Sequence, residues 1–562
     1  MPNEKAGGYL SQLEFNNGQI LDVAANDIVV FVGPNNTGKS QSLKDLYALA
    51  EAKVPSVVIS DISMRKYTSP ISAVLSKIST GSNQGSYISY SILGHNMAVF
   101  SNTDRDFPKN RFFGDYRDLF VVNLDTSARL TICKPPKNIR RNQSKAHPIH
   151  YAAFDSKYRK WLSDSFKKAF DVEITPNTQF GSEIPLCIGK PVQLDGAYED
   201  EQSRQEAYAD ILGAYRQAQN QGDGIKSFTG ILLYLMLDYY CTYLIDEPES
   251  FLHPPQARIM GQIIGQTLSD QQQAFISTHS EDIIKGLLEV CPERIKIVRI
   301  TREDDTNHFS ILNNSEFTQV WKDPLLKYSN IMASLFHKSV VLCESDSDCK
   351  LYSIIEGHIR QKEGKYSETL FIHCGGKHRM AKIVTALRSL NIRVKLIPDI
   401  DVLNDQGVFK GIVEAFGVDF GAIQRDYNNI VSNLHSPKET INRNLAKAEI
   451  IQVLDGSKNA ELSKYEIKDI REVISIKSKW EGLKIAGINA IPPGNATASF
   501  RAMDQILRSA GIHIVPVGEL ECFVKEVGGH GPEWVNNVLE AYPNLDDDVY
   551  KNVTQFIESM GV

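Results

Sequence analysis

Phe31-Val32-Gly33-Pro34-Asn35-Asn36-Thr37-Gly38-Lys39-Ser40 decides how the N-terminal half of this chain is read. The stretch meets the pattern GxxxxGK[ST] at every fixed position. It continues an apolar run from Asp27 that predicts a buried strand, and the residues Gln41 to Glu51 after it alternate at helical spacing. Strand, glycine-rich turn and helix start together make a phosphate cradle, because backbone N–H groups point inward and the helix N-terminus adds its positive end. In this reading Gly33, Asn36, Thr37 and Gly38 shape the cradle. Lys39 reaches the outer phosphates, and the Ser40 hydroxyl meets magnesium.

Binding phosphate is not hydrolysis, which needs a metal ligand and a base. Tyr243-Leu244-Ile245-Asp246-Glu247-Pro248-Glu249 ends an apolar run that begins near Ile231. Asp246 stands where a strand emerges, suited to hold magnesium through water, and Glu247 beside it is placed to polarise the attacking water. Ala274-Phe275-Ile276-Ser277-Thr278-His279-Ser280 is another apolar strand with a polar exit, from which His279 can sense a γ-phosphate. Alone, His279 would read as a hydrogen-bonded strand-end histidine; three motifs in this order say more.

Together these motifs resemble the ABC-type ATPases of the SMC-like group, in which two heads sandwich ATP. That resemblance implies a signature motif. Gly222-Asp223-Gly224-Ile225-Lys226-Ser227 occupies its place, with Gly224 toward nucleotide and Asp223 where the family has serine. The wording Glu-Pro-Glu-x-x-x-His-Pro from Glu247 to Pro254 is similar to the ATPase halves of the OLD (overcoming lysogenization defect) nucleases. For the glutamine loop, Gln84 and Gln143 are the two candidates.

A second set of motifs follows residue 335. His337 to Asp348 reads as a strand whose exit carries Glu344, Asp346 and Asp348. Phe371-Ile372-His373-Cys374-Gly375-Gly376-Lys377 is a second strand-to-glycine transition, and Val394 to Pro398 delivers Asp399-Ile400-Asp401. Alternating strands and helices with acidic strand ends predict a parallel sheet with its functional edge at the strand C-termini. Asp399 and Asp401, two apart on an extended chain, can emerge on one face beside Glu344. Such close carboxylates raise one another's pKa, a conflict that an oxygen-seeking Mg²⁺ or Mn²⁺ resolves. The order Glu … Gly-Gly … Asp-x-Asp resembles the TOPRIM pattern of topoisomerases, primases and OLD-type nucleases, with Asp348 at the additional acidic position of the OLD version. By the same resemblance a late acidic ligand and a lysine complete the site. Glu521 is preferred over Glu519 as that ligand, in the strand-like Ile512 to Glu521. Lys525, one turn beyond Glu521 if the segment is helical, competes with Lys377 as the catalytic lysine.

Composition bounds the class. The 562 residues suit two to four domains, and 42% apolar with 23% charged content is ordinary for globular folds. A formal net charge of −7 argues against wholesale coating by nucleic acid without excluding a local basic channel. The eight cysteines show no CxxC pairing, which points to reduced thiols in a cytoplasmic setting. The N-terminus lacks the apolar core of a signal peptide, and the apolar stretch Gly230 to Ile245 is short and broken by Asp238. It reads as a buried helix running into a strand, so no membrane association is expected.

The expected fold is α/β: an ABC-type ATPase head over residues 1–330 with an insertion at about 131–220, then a TOPRIM domain over 335–562 with a helical insertion at about 405–490. The first insertion opens with Lys134, Lys137, Arg140, Arg141, Lys145, Lys157, Arg159 and Lys160 among Tyr151, Tyr158 and Trp161. Contact with DNA phosphates and a plain solvated face are equal readings of that run. Its later part, Ala197 to Asn220, predicts a polar helix with Tyr208, Ile211, Leu212 and Tyr215 on one face, for subunit pairing or for packing on the head. The resemblance implies an ATP-regulated, Mg²⁺- or Mn²⁺-dependent DNA endonuclease, at least dimeric, in prokaryotic anti-phage defence. It works alone or with a helicase-like or retron reverse transcriptase/msDNA partner. The competing reading is an SMC-like sensor or scaffold whose TOPRIM domain binds without cutting. A topoisomerase or primase lacks its strand-transfer tyrosine region or zinc module here.

Overall fold

The computed structural model describes residues 7–561 apart from 68, 80, 94, 191, 193, 195–199, 313–321, 324–329, 435–441, 457–460 and 475–478. The chain divides into two compact units, Met1–Gln319 and Val320–Val562.

In the first unit, parallel strands run in the order Ile295–Glu303, Ile28–Val32, Gln273–Ser277, Thr242–Asp246, Val121–Leu124. Thr306–Ile311 adds an antiparallel edge beside Ile295–Glu303. Ile28–Val32 and Gln273–Ser277 are buried at every residue, as inner strands of a covered parallel sheet must be. A smaller antiparallel sheet, with Gly8–Phe15 between Ile20–Asp22 and Ile59–Lys66, packs beside it. The fully buried Gln273 amide ties the two: it accepts from Leu10 N–H at 2.8 Å and donates to the Leu10 and Ala24 carbonyls at 3.0 Å. Helix Lys39–Glu51 is anchored through Asp45, whose Oδ2 accepts from the backbone N–H groups of Val57, Val58 and Ile59.

The stretch read as a helix entering a strand is Asp223–Leu235 followed by Thr242–Asp246. The insertion before it holds helices Pro148–Phe154 and Ser156–Phe170 and a three-stranded antiparallel sheet of Glu173–Pro176, Leu186–Gly189 and Arg216–Gln217. The polar helix expected over 197–220 is shorter, Glu201–Gly213, and of its residues only Leu212 is buried; positions 197–199 lie outside the described residues. Tyr215 is not on that helix. The chain turns back after Gly213 to pair Arg216–Gln217 with Leu186–Gly189, and the Tyr215 hydroxyl donates to the Lys190 carbonyl at 2.7 Å.

The second unit is built on three parallel strands in the order Thr369–His373, Ser339–Cys343, Arg393–Ile397. The strand-like segment after Ile512 extends this sheet through backbone bonds from Leu396 N–H to the Gly511 carbonyl and from His513 N–H to the Leu396 carbonyl. One crossover leaves the central strand on one side and the next returns on the other. The crevice at the strand C-termini is therefore a topological switch point, the usual place for a ligand in an open α/β sheet. The insertion is helical among its described residues: Gln406–Ala415, Gln424–Leu434, Arg443–Asp455, Lys464–Ile474 and Lys479–Ala486. No disulfide joins the eight cysteines among the described residues. No helix among the described residues is long and apolar enough to cross a membrane.

His513 is 3% exposed and neither ring nitrogen has a hydrogen-bond partner. Burial first, then the Arg508 and Lys395 charges, push its pKa down to about 4. An unfolded histidine titrates near 6.5, so the unfolded chain binds more protons between these values and stability falls with pH across that window. The penalty reaches about 2 kcal/mol at pH 5. Thermal melts should show that His513→Leu reduces the loss of Tm between pH 7 and pH 5; an unchanged loss would place the acid sensitivity elsewhere.

Candidate functional site

In the first unit the phosphate loop links Ile28–Val32 to helix Lys39–Glu51. Gly33 has φ 141°, and a Cβ there would meet the Ile300 carbonyl oxygen at 2.0 Å, so only glycine fits. Asn36 and Gly38 are also left-handed, at φ 59° and 95°. Thr37 Oγ1 donates to the Pro34 carbonyl at 3.0 Å and closes the loop. Lys39 Nζ lies inside it and donates to the carbonyls of Gly33 at 3.1 Å and Pro34 at 2.7 Å. Burial lowers the Lys39 pKa to about 8, against the opposing pull of Glu247, Glu249 and Asp246. A bound polyphosphate would give this ammonium anionic acceptors. Lys39→Ala should therefore weaken ATP binding by about 10- to 100-fold, measurable by titration calorimetry.

Asp246 ends its strand next in the sheet to Gln273–Ser277, and the Ser277 hydroxyl donates to Asp246 Oδ1. Glu247 leaves the strand at φ 46°, a strained conformation for a residue with a side chain. Its Oε2 accepts from the Ser250 hydroxyl at 3.2 Å, and its Oε1 lies 3.6 Å from His279 Nε2. Burial, then the Lys39 charge, lower the His279 pKa, which keeps the imidazole neutral. Glu249 sits behind them, its carboxyl pKa raised by burial, and accepts the His279 backbone N–H at 2.7 Å. Gly224, on the first turn of helix Asp223–Leu235, packs so closely on this loop that a Cβ would meet the Phe251 carbonyl oxygen at 2.5 Å. Neither glutamine candidate is built in as a sensor: Gln84 donates to Ser82 on an exposed hairpin, and Gln143 accepts from Arg140 N–H in an exposed turn.

In the second unit, Glu344 follows the central strand. Its carbonyl accepts the N–H groups of Gly375 at 3.1 Å and Gly376 at 3.2 Å, and the positive φ of both, 68° and 110°, explains the glycine pair. Its Oε2 is buried and has no hydrogen-bond partner. Asp348 caps helix Asp346–Lys362 in a reciprocal box with Ser345. Asp399 is extended, but Asp401 lies inside the short 3-10 helix Ile400–Asn404 rather than on the same extended strand. Burial raises the pKa of Glu344, with Asp401 next in effect; burial also raises those of Asp348 and Glu519. Asp399 is raised furthest, by burial and then by Asp348, Glu344, Asp401 and Glu519. That crowd of hard oxygen donors, with an orphaned carboxylate oxygen among them, fits a divalent cation such as Mg²⁺ or Mn²⁺. As the side chains stand, no group of three or more His, Cys, Asp or Glu among the described residues is placed to hold a metal ion.

The basic residues distribute differently from the sequence reading. Lys377 Nζ contacts Asp401 Oδ2 at 3.1 Å, and Lys484 Nζ, from the inserted helices, reaches the same oxygen at 3.1 Å. Glu521 lies in the short 3-10 helix Leu520–Phe523, which ends before Lys525, and Lys525 donates to the Ile485 carbonyl at 3.2 Å. Glu521 Oε1 accepts from Gly531 N–H at 2.7 Å and contacts His530 Nδ1 at 2.7 Å.

Two family models match. Residues 28–284 match AAA_21, described as "AAA domain, putative AbiEii toxin, Type IV TA system", and residues 335–401 match the "Overcoming lysogenization defect protein-like, TOPRIM domain". The chain thus carries an ATPase-type domain followed by an OLD-like TOPRIM domain, the arrangement of the OLD-family fusions. No curated protein matches it. Among solved structures, an SMC head bound to the C-winged helix domain of ScpA aligns at 12% identity over 55% of this chain and 99% of that one, with a TM-score of 0.34. An SMC head with extended coiled coil bound to the C-terminal domain of ScpA from Pyrococcus furiosus gives 11%, 56%, 99% and 0.32, and the SMC head from Thermotoga maritima gives 13%, 55%, 97% and 0.28. Scores this low leave the assignment to the two domain matches and the loop geometry. OLD-type proteins pair an ATP-using domain with a domain type that works through divalent metal.

Sequence reasoning missed two residues in this chain. Lys484 comes from an insertion more than eighty residues after Asp401 in sequence, with no motif around it. Arg129 is fully buried beside Asp246 and Glu247, and no motif in the sequence surrounds it. Within the basic run that opens the first insertion, Tyr151 and Tyr158 pack edge to face at 5.9 Å and Arg159 donates to the Ala152 and Ala153 carbonyls. Those three groups serve packing; Lys134, Lys137, Arg140, Arg141, Lys157 and Lys160 remain exposed.

Proposed function

We propose that the chain is an ATP-hydrolysing, Mg²⁺- or Mn²⁺-dependent DNA endonuclease, acting as a homodimer or higher oligomer in the bacterial or archaeal cytoplasm against phage. The observation that carries the nuclease reading is Asp399 crowded by Glu344, Asp348, Asp401 and Glu519 at a switch point, with Glu344 Oε2 unpartnered. A structural acidic patch would be solvated or paired. Here Asp401 is paired with two lysines, but Asp399 and Glu344 Oε2 are buried among like charges, which is costly until a cation enters.

A bound divalent ion would supply an activated water and would offset charge on the cleaved phosphate. Glu344, Asp348, Asp399 and Asp401 would hold it, with Glu519 or Glu521 completing the set. Lys377 and Lys484 hold Asp401 in place and present positive charge to an incoming phosphate. The hydrogen bond to Asp401 raises the Lys484 pKa, so it stays cationic. In the first unit, Glu247 orients the hydrolytic water, Asp246 and Ser40 hold the nucleotide's magnesium, and His279 faces the γ-phosphate. Gly224 of a second copy would close the nucleotide sandwich. DNA entry under the control of paired heads follows from that arrangement, and a helicase-like or retron partner would act on the same control.

Supercoiled plasmid incubated with Mg²⁺ or Mn²⁺, with and without ATP, tests the proposal. Nicking or linearisation that needs metal and disappears in Glu344→Ala is expected; metal-dependent cutting by that variant would refute the site. Lys484→Ala should slow cleavage about 10- to 100-fold, the loss of one charge-assisted contact, with ATP turnover unchanged.

One observation favours the non-cutting sensor or scaffold: Asp401 is already neutralised by two lysines. On that reading the TOPRIM domain would hold nucleic acid or a partner, and plasmid would stay intact in every metal.

A further inference from the structure

Arg129 is 0% exposed, which for an arginine demands that every donor be used. All five are. Nε donates to the Ser227 hydroxyl at 3.0 Å. Nη1 donates to the carbonyls of Leu124, at 2.9 Å, and of Asp246. Nη2 donates to Thr126 Oγ1 at 3.3 Å and to the Glu247 carbonyl at 3.2 Å. One planar guanidinium thus ties three separate pieces of chain: the end of strand Val121–Leu124, the helix Asp223–Leu235, and the exit of strand Thr242–Asp246.

The choice of acceptors is informative. A buried cation is ordinarily held by a carboxylate, whereas this one binds carbonyls and hydroxyls directly. Asp246, Glu249, Asp125 and Glu247 act on it only through space, while burial lowers its pKa. Its grip is therefore on backbone position. It fixes the carbonyl of Glu247, the residue forced to φ 46°, and that of Asp246 beside it. The helix at the other end starts at Asp223, one turn before Ser227, and carries Gly224. A further contact locks this helix to helix Thr126–Thr131, which carries Arg129: a Cβ on Gly230 would meet the Arg129 carbonyl oxygen at 2.3 Å, and Cys133 Sγ, just beyond that helix, donates to the Lys226 carbonyl at 3.1 Å. Movement of the Gly224 end cannot be absorbed by slack at Arg129.

We infer that Arg129 is a positioning residue that couples engagement of the helix Asp223–Leu235 to the placement of Glu247 for ATP hydrolysis. It touches neither nucleotide nor water; it acts through the backbone of Glu247 and the hydroxyl of Ser227. This rests on the proposed hydrolytic activity. Lysine cannot replace it, since a point ammonium lacks the fork that reaches three directions.

The test measures steady-state ATP turnover by the full chain, affinity for a non-hydrolysable ATP analogue, and Tm, for Arg129→Lys and Ser227→Ala. Ser227→Ala removes one of the five bonds and leaves the others, so folding is not at stake. Expected is a kcat about tenfold lower for Ser227→Ala and about 100-fold lower for Arg129→Lys. The KM and analogue affinity should stay within about threefold, with the Ser227→Ala Tm unchanged. An unchanged kcat in Ser227→Ala, or a fall in analogue affinity that matches the fall in kcat, would overturn the coupling and leave a purely structural arginine. Absence of turnover in the unaltered chain would overturn the hydrolytic reading instead.

Discussion

Glu247→Gln reduces ATP turnover by roughly 10²- to 10⁴-fold, the range expected for losing a general base, while nucleotide still binds. The side chain stands at the exit of the Asp246 strand, with one oxygen on Ser250 and the other 3.6 Å from His279. Glutamine keeps the size and the hydrogen-bonding reach, so the φ 46° turn and the Arg129 grip on the Glu247 carbonyl survive. What is lost is the charge that polarises water. Bound ATP then persists, and paired heads accumulate as a larger species in sizing chromatography with ATP and Mg²⁺. Turnover near the unaltered rate would move the base to another group, with the half-buried Glu249 next in line.

Asp399→Asn is the second large effect, and it separates function from stability. Cleavage should fall below detection, because the most hemmed-in oxygen donor of the cluster is gone. Tm should nevertheless rise when no divalent ion is added. The sign follows from linkage: the folded pKa of Asp399 lies above its unfolded value, so folding favours the protonated carboxyl over the anion. Folding Asp399 as an anion is therefore penalised, and a neutral amide of the same shape relieves the penalty. The gain in Tm should shrink as pH falls toward the unfolded carboxylate range. A metal site that destabilises its own empty fold is the usual stability–activity conflict. A Tm that falls would mean that Asp399 is a structural acceptor rather than a crowded ligand.

The placement of the candidate residues was legible where they stand at strand exits. Gly33, Asp246, Glu344 and Asp399 all lie at or just beyond the ends of parallel strands, since such a sheet delivers strand exits to one edge whatever the intervening chain does. The helix-into-strand reading of Gly230 to Ile245 held because the apolar residues on either side of Asp238 are buried in a helix and a strand. Sequence reading fell short where long-range packing decides. The helix expected over 197–220 stops at Gly213 because Arg216–Gln217 pairs with a strand some thirty residues earlier, which periodicity cannot register. Lys484 reaches Asp401 from an insertion with no motif, whereas Lys525, singled out for its nearness to Glu521, turns to Ile485. Arg129 has no motif around it, and a lone arginine in sequence suggests solvent; folding makes it the buried centre of five hydrogen bonds.

The central claim is that one chain carries two separable sites, one for ATP and one for DNA cleavage. A single reaction with supercoiled plasmid, ATP and Mn²⁺, sampled in time for both ADP and linear DNA, tests it most directly when the unaltered chain is run beside Asp399→Asn. The account predicts that Asp399→Asn releases ADP at the unaltered rate while its plasmid stays supercoiled. Cleavage by Asp399→Asn, or joint loss of both activities in a variant that melts no lower than the unaltered chain, would contradict it.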